Sequence, residues 1–315
     1  LKRLDEALAS YDRAIALNPD YVSAYYNRGN ALKDLKRLDE ALASYDRAIA
    51  LKPDIDFILG ESLRTKMHLC IWNNFQNCLN ELTDKINNGE TVLNPFSLLA
   101  LIDDPNIQRK TSEIYVNKIS PQSNILPKIY RYHGHEKIRI GYFSADFRNH
   151  AVSYLAAELY EIHDRNRFEI HAFSYGRDTK DEMNLRIKVG VDHFHDVRTM
   201  SYEDTAMLAR SVELDIAVDL GGFTQLAKTE IFAMSAAPIQ ISYIGYAGTM
   251  GANYYDYLVA DQTIIPEKNQ KYYSEKIAYL PNYQVNDSTQ SPPETIFTRK
   301  DLGLPETGFV FGCFN

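Results

Sequence analysis

The sequence predicts an α + α/β molecule: helical repeats in front, then a Rossmann-like doubly wound parallel sheet. Three observations carry that prediction. A 20-residue segment recurs almost unchanged: Leu1–Asp20 (LKRLDEALASYDRAIALNPD) and Leu35–Asp54 (LKRLDEALASYDRAIALKPD) are offset by 34 positions and differ only at Asn18/Lys52. From Lys137 onward, short apolar runs alternate with helical patterns, the texture of strand–helix–strand crossovers. Turn segments bearing glycine or polar residues then follow several of the runs, where such sheets bind ligands. A length of 315 residues suits about two domains of roughly 100–200 residues each.

Composition removes several function classes. Lys+Arg number 34 against 42 Asp+Glu, a formal net charge of −8, which disfavours general nucleic-acid binding. No apolar run approaches the roughly 20 residues needed to cross a bilayer, so no membrane role is expected. Cys70, Cys78 and Cys313 are too few and too scattered for a disulfide framework or a zinc cluster. That usage fits a reducing compartment, so a cytoplasmic protein is expected. The chain opens on Leu1 rather than Met, and truncation at both ends is expected.

In the second copy Leu38, Ala41, Leu42, Tyr45, Ala48 and Ile49 fall on one helical stripe. Pro19 and Pro53 close the two copies, because proline lacks an N–H and disfavours helix at the residue before it. Between them Tyr21–Leu32 forms a second helix whose Ala24, Gly29 and Ala31 permit close approach. This 34-residue helix–turn–helix pattern resembles the tetratricopeptide repeat. Residues 1–54 are therefore assigned to a partial array, since fewer than three repeats rarely bury a stable core. Such an array either presents a concave face to a peptide or serves as a spacer.

Residues 55–136 form a less patterned, helical connection. Helices are predicted over Leu59–Leu69 and Trp72–Ile86, with Trp72, Phe75, Leu79, Leu82 and Ile86 on one stripe and Trp72 in the core. Asn87-Asn88-Gly89 stops the second helix, and Asn94-Pro95, Asp104-Pro105 and Ser120-Pro121 punctuate the stretch beyond it. Asp54-Ile55-Asp56 has the form of a metal-holding Asp-x-Asp, but it sits at a repeat's closing turn and is read as structural.

Residues 137–300 form the α/β lobe. Strands are predicted at Ile138–Ser144, Phe168–Tyr175, His193–Val197, Leu214–Leu220, Ile239–Ile244, Tyr257–Ala260 and Lys276–Leu280. Helices are predicted at Ala151–His163, around Glu182–Val189, at Tyr202–Val212 and near Lys228–Met234. Three loops fall at strand exits: Asp146–His150, Gly221–Thr224 and Gly245–Gly251. Glycine lets backbone approach a ligand and can leave N–H groups free for oxyanions; tight turns are the plainer reading. None of the loops fits a dinucleotide fingerprint or a P-loop, so no nucleotide cofactor is expected. His150 opens a helix, where the free N–H groups disfavour imidazolium and favour a neutral, proton-accepting ring. His68, His133, His135, His163, His171, His193 and His195 suggest no metal triad. His193-x-His195 alternates along a strand without an evident third ligand.

Taken together, IRIGYFSADFRNHAVSYL (138–155), DIAVDLGGFT (215–224), APIQISYIGYAGTMG (237–251), DYLVADQTIIP (256–266) and YSEKIAYLP (273–281) resemble the amino-terminal catalytic half of the O-linked N-acetylglucosamine transferase (SPINDLY/OGT-like, bacterial) family. The resemblance implies a two-lobed GT-B fold without metal or cofactor. It implies transfer of a sugar from a UDP-sugar, the substrate, to Ser or Thr of a protein that the repeats engage. It makes His150 the active-site histidine, as base or acceptor-positioning group. Asp146, Asn149, Gly222, Thr224, Gly245, Tyr246, Gly248 and Thr249 become donor- or substrate-binding positions. The family's loop reads Gly-Tyr-Pro-Gly-Thr-Ser/Thr-Gly, whereas Ala247 and Met250 stand at two of its places here. Residues 301–315, ending FVFGCFN, resemble the opening strand of the second lobe. A piece without that lobe is expected to be inert alone. The alternatives are a repeat scaffold with a degenerate lobe, and a relative using another donor or an Asn acceptor.

Overall fold

The computed structural model describes residues 2–289 and 295–312. The repeat region folds as antiparallel helices α1 (Lys2–Leu17), α2 (Val22–Asp34) and α3 (Leu38–Leu51). Both α1 and α3 stop two residues before their prolines, as the proline ring demands. The seam is built around Tyr45, fully buried among Leu8, Leu32, Ala41, Ala48 and Ile58. Its hydroxyl donates to Asn30 Oδ1 at 2.8 Å, which satisfies its one polar atom. Gly29 exists to admit that ring: a Cβ there would sit 2.5 Å from Tyr45 Cε1.

The connection continues the stack with α4 (Ile58–His68), α5 (Phe75–Asn87), a short α6 (Pro95–Leu98) and α7 (Pro105–Ile119). Leu63, Leu82, Ile86, Leu98 and Ile107 form its core. The expected Trp72 start is wrong. Asn74 takes a left-handed conformation (φ 59°), so α5 begins only at Phe75. Trp72 is left 52% exposed, edge-on to Phe75 at 5.3 Å. Two of the X-Pro sites read as punctuation are helix starts. Asn94 caps α6 by accepting from the Phe96 N–H, and Asp104 caps α7 by accepting from Asn106 and Ile107 N–H groups.

The lobe contains β1 (Ile138–Ser144), β2 (Phe168–Ser174), β3 (His193–Asp196), β4 (Ile216–Asp219), β5 (Ile239–Ser242), β6 (Tyr257–Ala260) and β7 (Lys276–Tyr279). They form one seven-stranded sheet, ordered β3-β2-β1-β4-β5-β6-β7, with every pair parallel. Helices α8 (Ala151–Ile162) and α9 (Glu182–Gly190) cover one face, packing Ala156, Tyr160 and Ile187 onto Ile140, Tyr142 and Ile170. Helices α10 (Tyr202–Ser211) and α11 (Thr229–Ala233) cover the other, where Ala206, Ala209 and Phe232 meet Phe143, Phe173 and Ala217. Neighbouring residues of each strand thus feed opposite cores, as the period of two requires.

The strand expected near the end is not formed over Phe309–Gly312; Phe309 and Phe311 are 82% and 91% exposed and pair with no strand. An extended segment needs a neighbouring ladder to become a strand. Cys313–Asn315 lie outside the described residues.

Candidate active site

The sheet changes direction of growth between β1 and β4: strands are added outward from β1 to β3 on one side and from β4 to β7 on the other. Loops leaving the carboxyl ends of those two strands diverge to opposite faces, and the crevice between them is where open α/β sheets hold ligands. Asp146–His150 and Gly221–Thr224 are those loops. His150 and the first glycine turn therefore share the ligand-binding edge of the sheet.

His150 is the N-cap of α8, with extended backbone (φ −154°, ψ 153°) and a side chain 36% exposed. The Val152 N–H donates to its Nδ1 at 3.3 Å. That bond occupies the Nδ1 lone pair, so the neutral ring carries its proton on Nε2. As folded it offers a donor, not the proton acceptor expected from sequence. Asp146 Oδ2 lies 3.7 Å from the same Nδ1, beyond hydrogen-bond length. Moving the ring proton to Nδ1 would exchange the cap bond for Asp146 and free the Nε2 lone pair. Asp146 is itself held, its Oδ1 accepting from Arg148 at 2.8 Å and its N–H donating to Ser144 Oγ at 2.9 Å. Asp146 and His150 are therefore brought together as expected.

Asn149 is not part of that pair. Its N–H donates to Asp181 Oδ2 at 3.0 Å and its Oδ1 accepts from the Met183 N–H at 3.2 Å, so it ties the loop to the start of α9. Its side-chain oxygen thus serves the loop, while the residue as a whole is exposed.

The Gly221–Thr224 turn is organised by Asp219, a carboxylate that sequence reasoning missed. Asp219 is 1% exposed; its Oδ1 accepts from the N–H groups of Gly221 (2.9 Å) and Gly222 (3.1 Å), and its Oδ2 from the Tyr255 hydroxyl (2.6 Å). Burial pushes its pKa up, and the three donors pull it back in part. The expectation of free glycine N–H groups is thus corrected: both are committed to Asp219. Gly222 is required sterically, with φ +58° and a would-be Cβ 2.5 Å from Tyr246 Cβ. The Thr224 hydroxyl donates to Gly221 O at 2.7 Å and closes the turn.

The Gly245–Gly251 loop faces inward. A Cβ at Gly245 would lie 2.0 Å from Leu220 O, and one at Gly248 would lie 2.4 Å from the Tyr246 hydroxyl oxygen. Tyr246 is 3% exposed, edge-on to Phe223 at 5.2 Å, and belongs to the core rather than to a sugar pocket. Thr249 donates to Glu275 Oε2 at 2.7 Å, while Glu275 Oε1 accepts from the Met250 N–H at 2.6 Å. Glu275 is 5% exposed, and burial raises its pKa. Gly251 presses on α7, its would-be Cβ 2.6 Å from Glu113 N. Tyr246 and Thr249 can shape a donor site only through the backbone they hold.

A second concavity joins the halves. A groove of about 560 Å³ runs between α2, α4 and α6 on one side and Phe223-Thr224-Gln225 on the other. Lys33, Lys36 and Arg64 stand on its helical wall beside Asp34 and Glu61, the last accepting from Lys33 at 2.6 Å, so that wall carries charges of both signs. These residues were not singled out from sequence, because nothing local marks a helix face that meets a loop some 160 residues later.

Residues 106–293, more than half of the chain, match the profile of glycosyl transferase family 41. The chain belongs to that family. Residues 1–36 and 22–55 match tetratricopeptide repeat profiles. Similar family members include the Arabidopsis thaliana protein described as probable UDP-N-acetylglucosamine–peptide N-acetylglucosaminyltransferase SEC, 40% identical over 188 residues. That alignment covers 58% of this chain and 19% of the plant protein. The Caenorhabditis elegans UDP-N-acetylglucosamine–peptide N-acetylglucosaminyltransferase is 32% identical over 185 residues, 58% of this chain and 15% of that protein. The chain thus spans under a fifth of either relative. A solved mutant of the Thermobaculum terrenum O-GlcNAc transferase superposes with a TM-score of 0.64 over 93% of this chain and 57% of that one, at 23% identity. That likeness bears on the fold, and it extends the agreement to the helical array preceding the sheet. Among the described residues no helix is long and apolar enough to cross a membrane.

Proposed function

We propose that this chain is the acceptor-side half of a protein O-glycosyltransferase, moving N-acetylglucosamine from its UDP conjugate to Ser or Thr of a protein. The observation that carries the reading is the family 41 match over the segment whose first switch-point loop holds both Asp146 and His150. In the reaction the acceptor hydroxyl oxygen bonds to the anomeric carbon, that carbon's bond to the diphosphate oxygen breaks, and the hydroxyl proton leaves. His150 serves this in either tautomer. With Nδ1 on the Val152 N–H, its Nε2–H orients an acceptor or phosphate oxygen; with Nδ1–H turned to Asp146, Nε2 takes the proton. The groove beside Thr224, lined by charges of both signs, suits an extended peptide entering between the repeats and the lobe.

The test uses a complete transferase containing this segment, acceptor peptides, a panel of nucleotide sugars and mass spectrometry. The expected product is one N-acetylhexosamine on Ser or Thr, with the rate lowered about 10²–10⁴-fold in His150→Asn. Fucose or glucose transfer, or an Asn product, would move the reading to another donor or acceptor. No transfer from any donor would favour a repeat scaffold.

A further inference from the structure

The opposite, amino-terminal end of the sheet carries a second group of side chains that the transfer reaction does not use. Glu169 and His171 lie two apart on β2, and His193 opens the edge strand β3, in register with His171. Parallel pairing and the two-residue period set all three on one face. His171 Nε2 is 3.2 Å and His193 Nε2 is 3.0 Å from the same carboxylate oxygen, Glu169 Oε1. One ligand atom from each residue lies within 4.8 Å of the other two. Bonds of 2.0–2.1 Å to a tetrahedral zinc put neighbouring ligand atoms about 3.3 Å apart, close to the spacing each imidazole already holds from the Glu169 oxygen.

We propose that Glu169, His171 and His193 form a zinc site that fastens edge strand β3 to β2. Two imidazoles and one carboxylate are a donor set suited to zinc, with a fourth position left for water. His171 is buried (3% exposed), whereas His193 is exposed on the solvent side, so the ion has both a seat and an entrance. The outer contacts orient the ligands as metal-bound groups require. His171 Nδ1 is 3.1 Å from His195 Nε2, and the other oxygen of Glu169 lies 3.4 Å from Arg139 Nε. Glu213 pairs with Arg139 at 3.1 Å and offsets its charge. On binding, the His171 proton moves from Nε2 to Nδ1 and the His195 proton from Nε2 to its own Nδ1, so that His171 Nδ1–H donates to His195 Nε2 and the His171 Nε2 lone pair goes to the metal.

The 315-residue chain, stripped of metal, is dialysed against buffered Zn²⁺ and its bound metal counted by mass spectrometry. One zinc per chain is expected, and Co²⁺ in its place gives the strong visible bands of a tetrahedral site. Glu169→Gln and His193→Ala, both on the solvent side of the cluster, weaken binding by at least about tenfold; His68→Ala, outside the cluster, leaves it unchanged. Zinc raises the melting temperature of the wild-type chain and not of the two variants. Absence of stoichiometric zinc, absence of cobalt bands from the wild-type chain, or equal binding by Glu169→Gln and His193→Ala would overturn the site and leave a hydrogen-bonded cluster only.

Discussion

His150 has a structural duty and a chemical one, and their magnitudes separate them. As an N-cap it is worth roughly 1 kcal/mol; as an acid–base or orienting group it is worth about 10²–10⁴ in rate, some 3–5 kcal/mol of barrier. His150→Asn restores a capping side chain and removes the imidazole. It should melt within a few degrees of the parent yet lose transferase activity, whereas His150→Ala should lose both. Thermal melts beside kcat measurements on the complete enzyme check this. Asp146→Asn tests the tautomer exchange: if Nδ1–H must turn to Asp146, the variant loses kcat with little change in peptide KM. His163 supplies a pH prediction. Its Nε2 accepts from the buried Tyr142 hydroxyl at 2.9 Å, and burial lowers its pKa below the usual 6.5. A histidine with a depressed folded pKa supports the fold above the unfolded value and withdraws that support as pH falls through the folded one. Stability should therefore decline as pH drops below about 6.5, less steeply in His163→Gln, as read by urea unfolding at several pH values.

At the scale of elements, the tightest predictions concern close approaches. Gly29→Ala would gain up to about 1 kcal/mol of helix propensity but force the Tyr45 ring aside, at about 1–3 kcal/mol, so a net loss is expected. Gly245→Ala meets the Leu220 carbonyl, which cannot yield as a side chain can, and should cost more than Gly29→Ala in the same denaturation assay. Elements were also where the sequence was most readable. The helical period, the prolines and the alternation of strands are local signals, and they located α1 to α3 and all seven strands to within a few residues. His150 was readable for the same reason, being placed by the strand before it and the helix it opens. The partners of Asn149 and Thr249 were not, because they are remote in sequence: Met183 lies 34 positions from Asn149, and Glu275 lies 26 from Thr249. Asp219 ends a strand like many aspartates, and only the fold shows Tyr255, 36 positions on, donating to it. The gathering of Glu169 and His171 beside His193 likewise depends on strand neighbourhood, which a single sequence does not display.

Across the whole molecule, α7 is the common wall. Tyr115 stands edge-on to Phe57 at 5.9 Å on the helical side and to Phe223 at 5.2 Å on the lobe side. The Tyr254 hydroxyl donates to Ser120 O, just past that helix, at 2.8 Å. The array and the sheet should consequently unfold together, giving one calorimetric transition rather than two. The same packing has a cost for catalysis. The Gly221, Gly222 and Met250 N–H groups already serve carboxylates of this chain, so the charge of a departing diphosphate must be met from elsewhere. On the proposed reading, the 315-residue chain by itself is expected to show no turnover in a sensitive transfer assay.

Asp219 gives the entrance of the groove an unusual dependence. Two amide hydrogens anchor the Phe223-Thr224 wall to it, and a single phenol anchors Asp219 from the far side. Tyr255→Phe deletes one buried oxygen behind the wall, yet on the proposed reading it should loosen the doorway and broaden the choice of peptide. Selectivity would then be adjusted from behind the wall, by a residue that a search of the pocket lining would pass over.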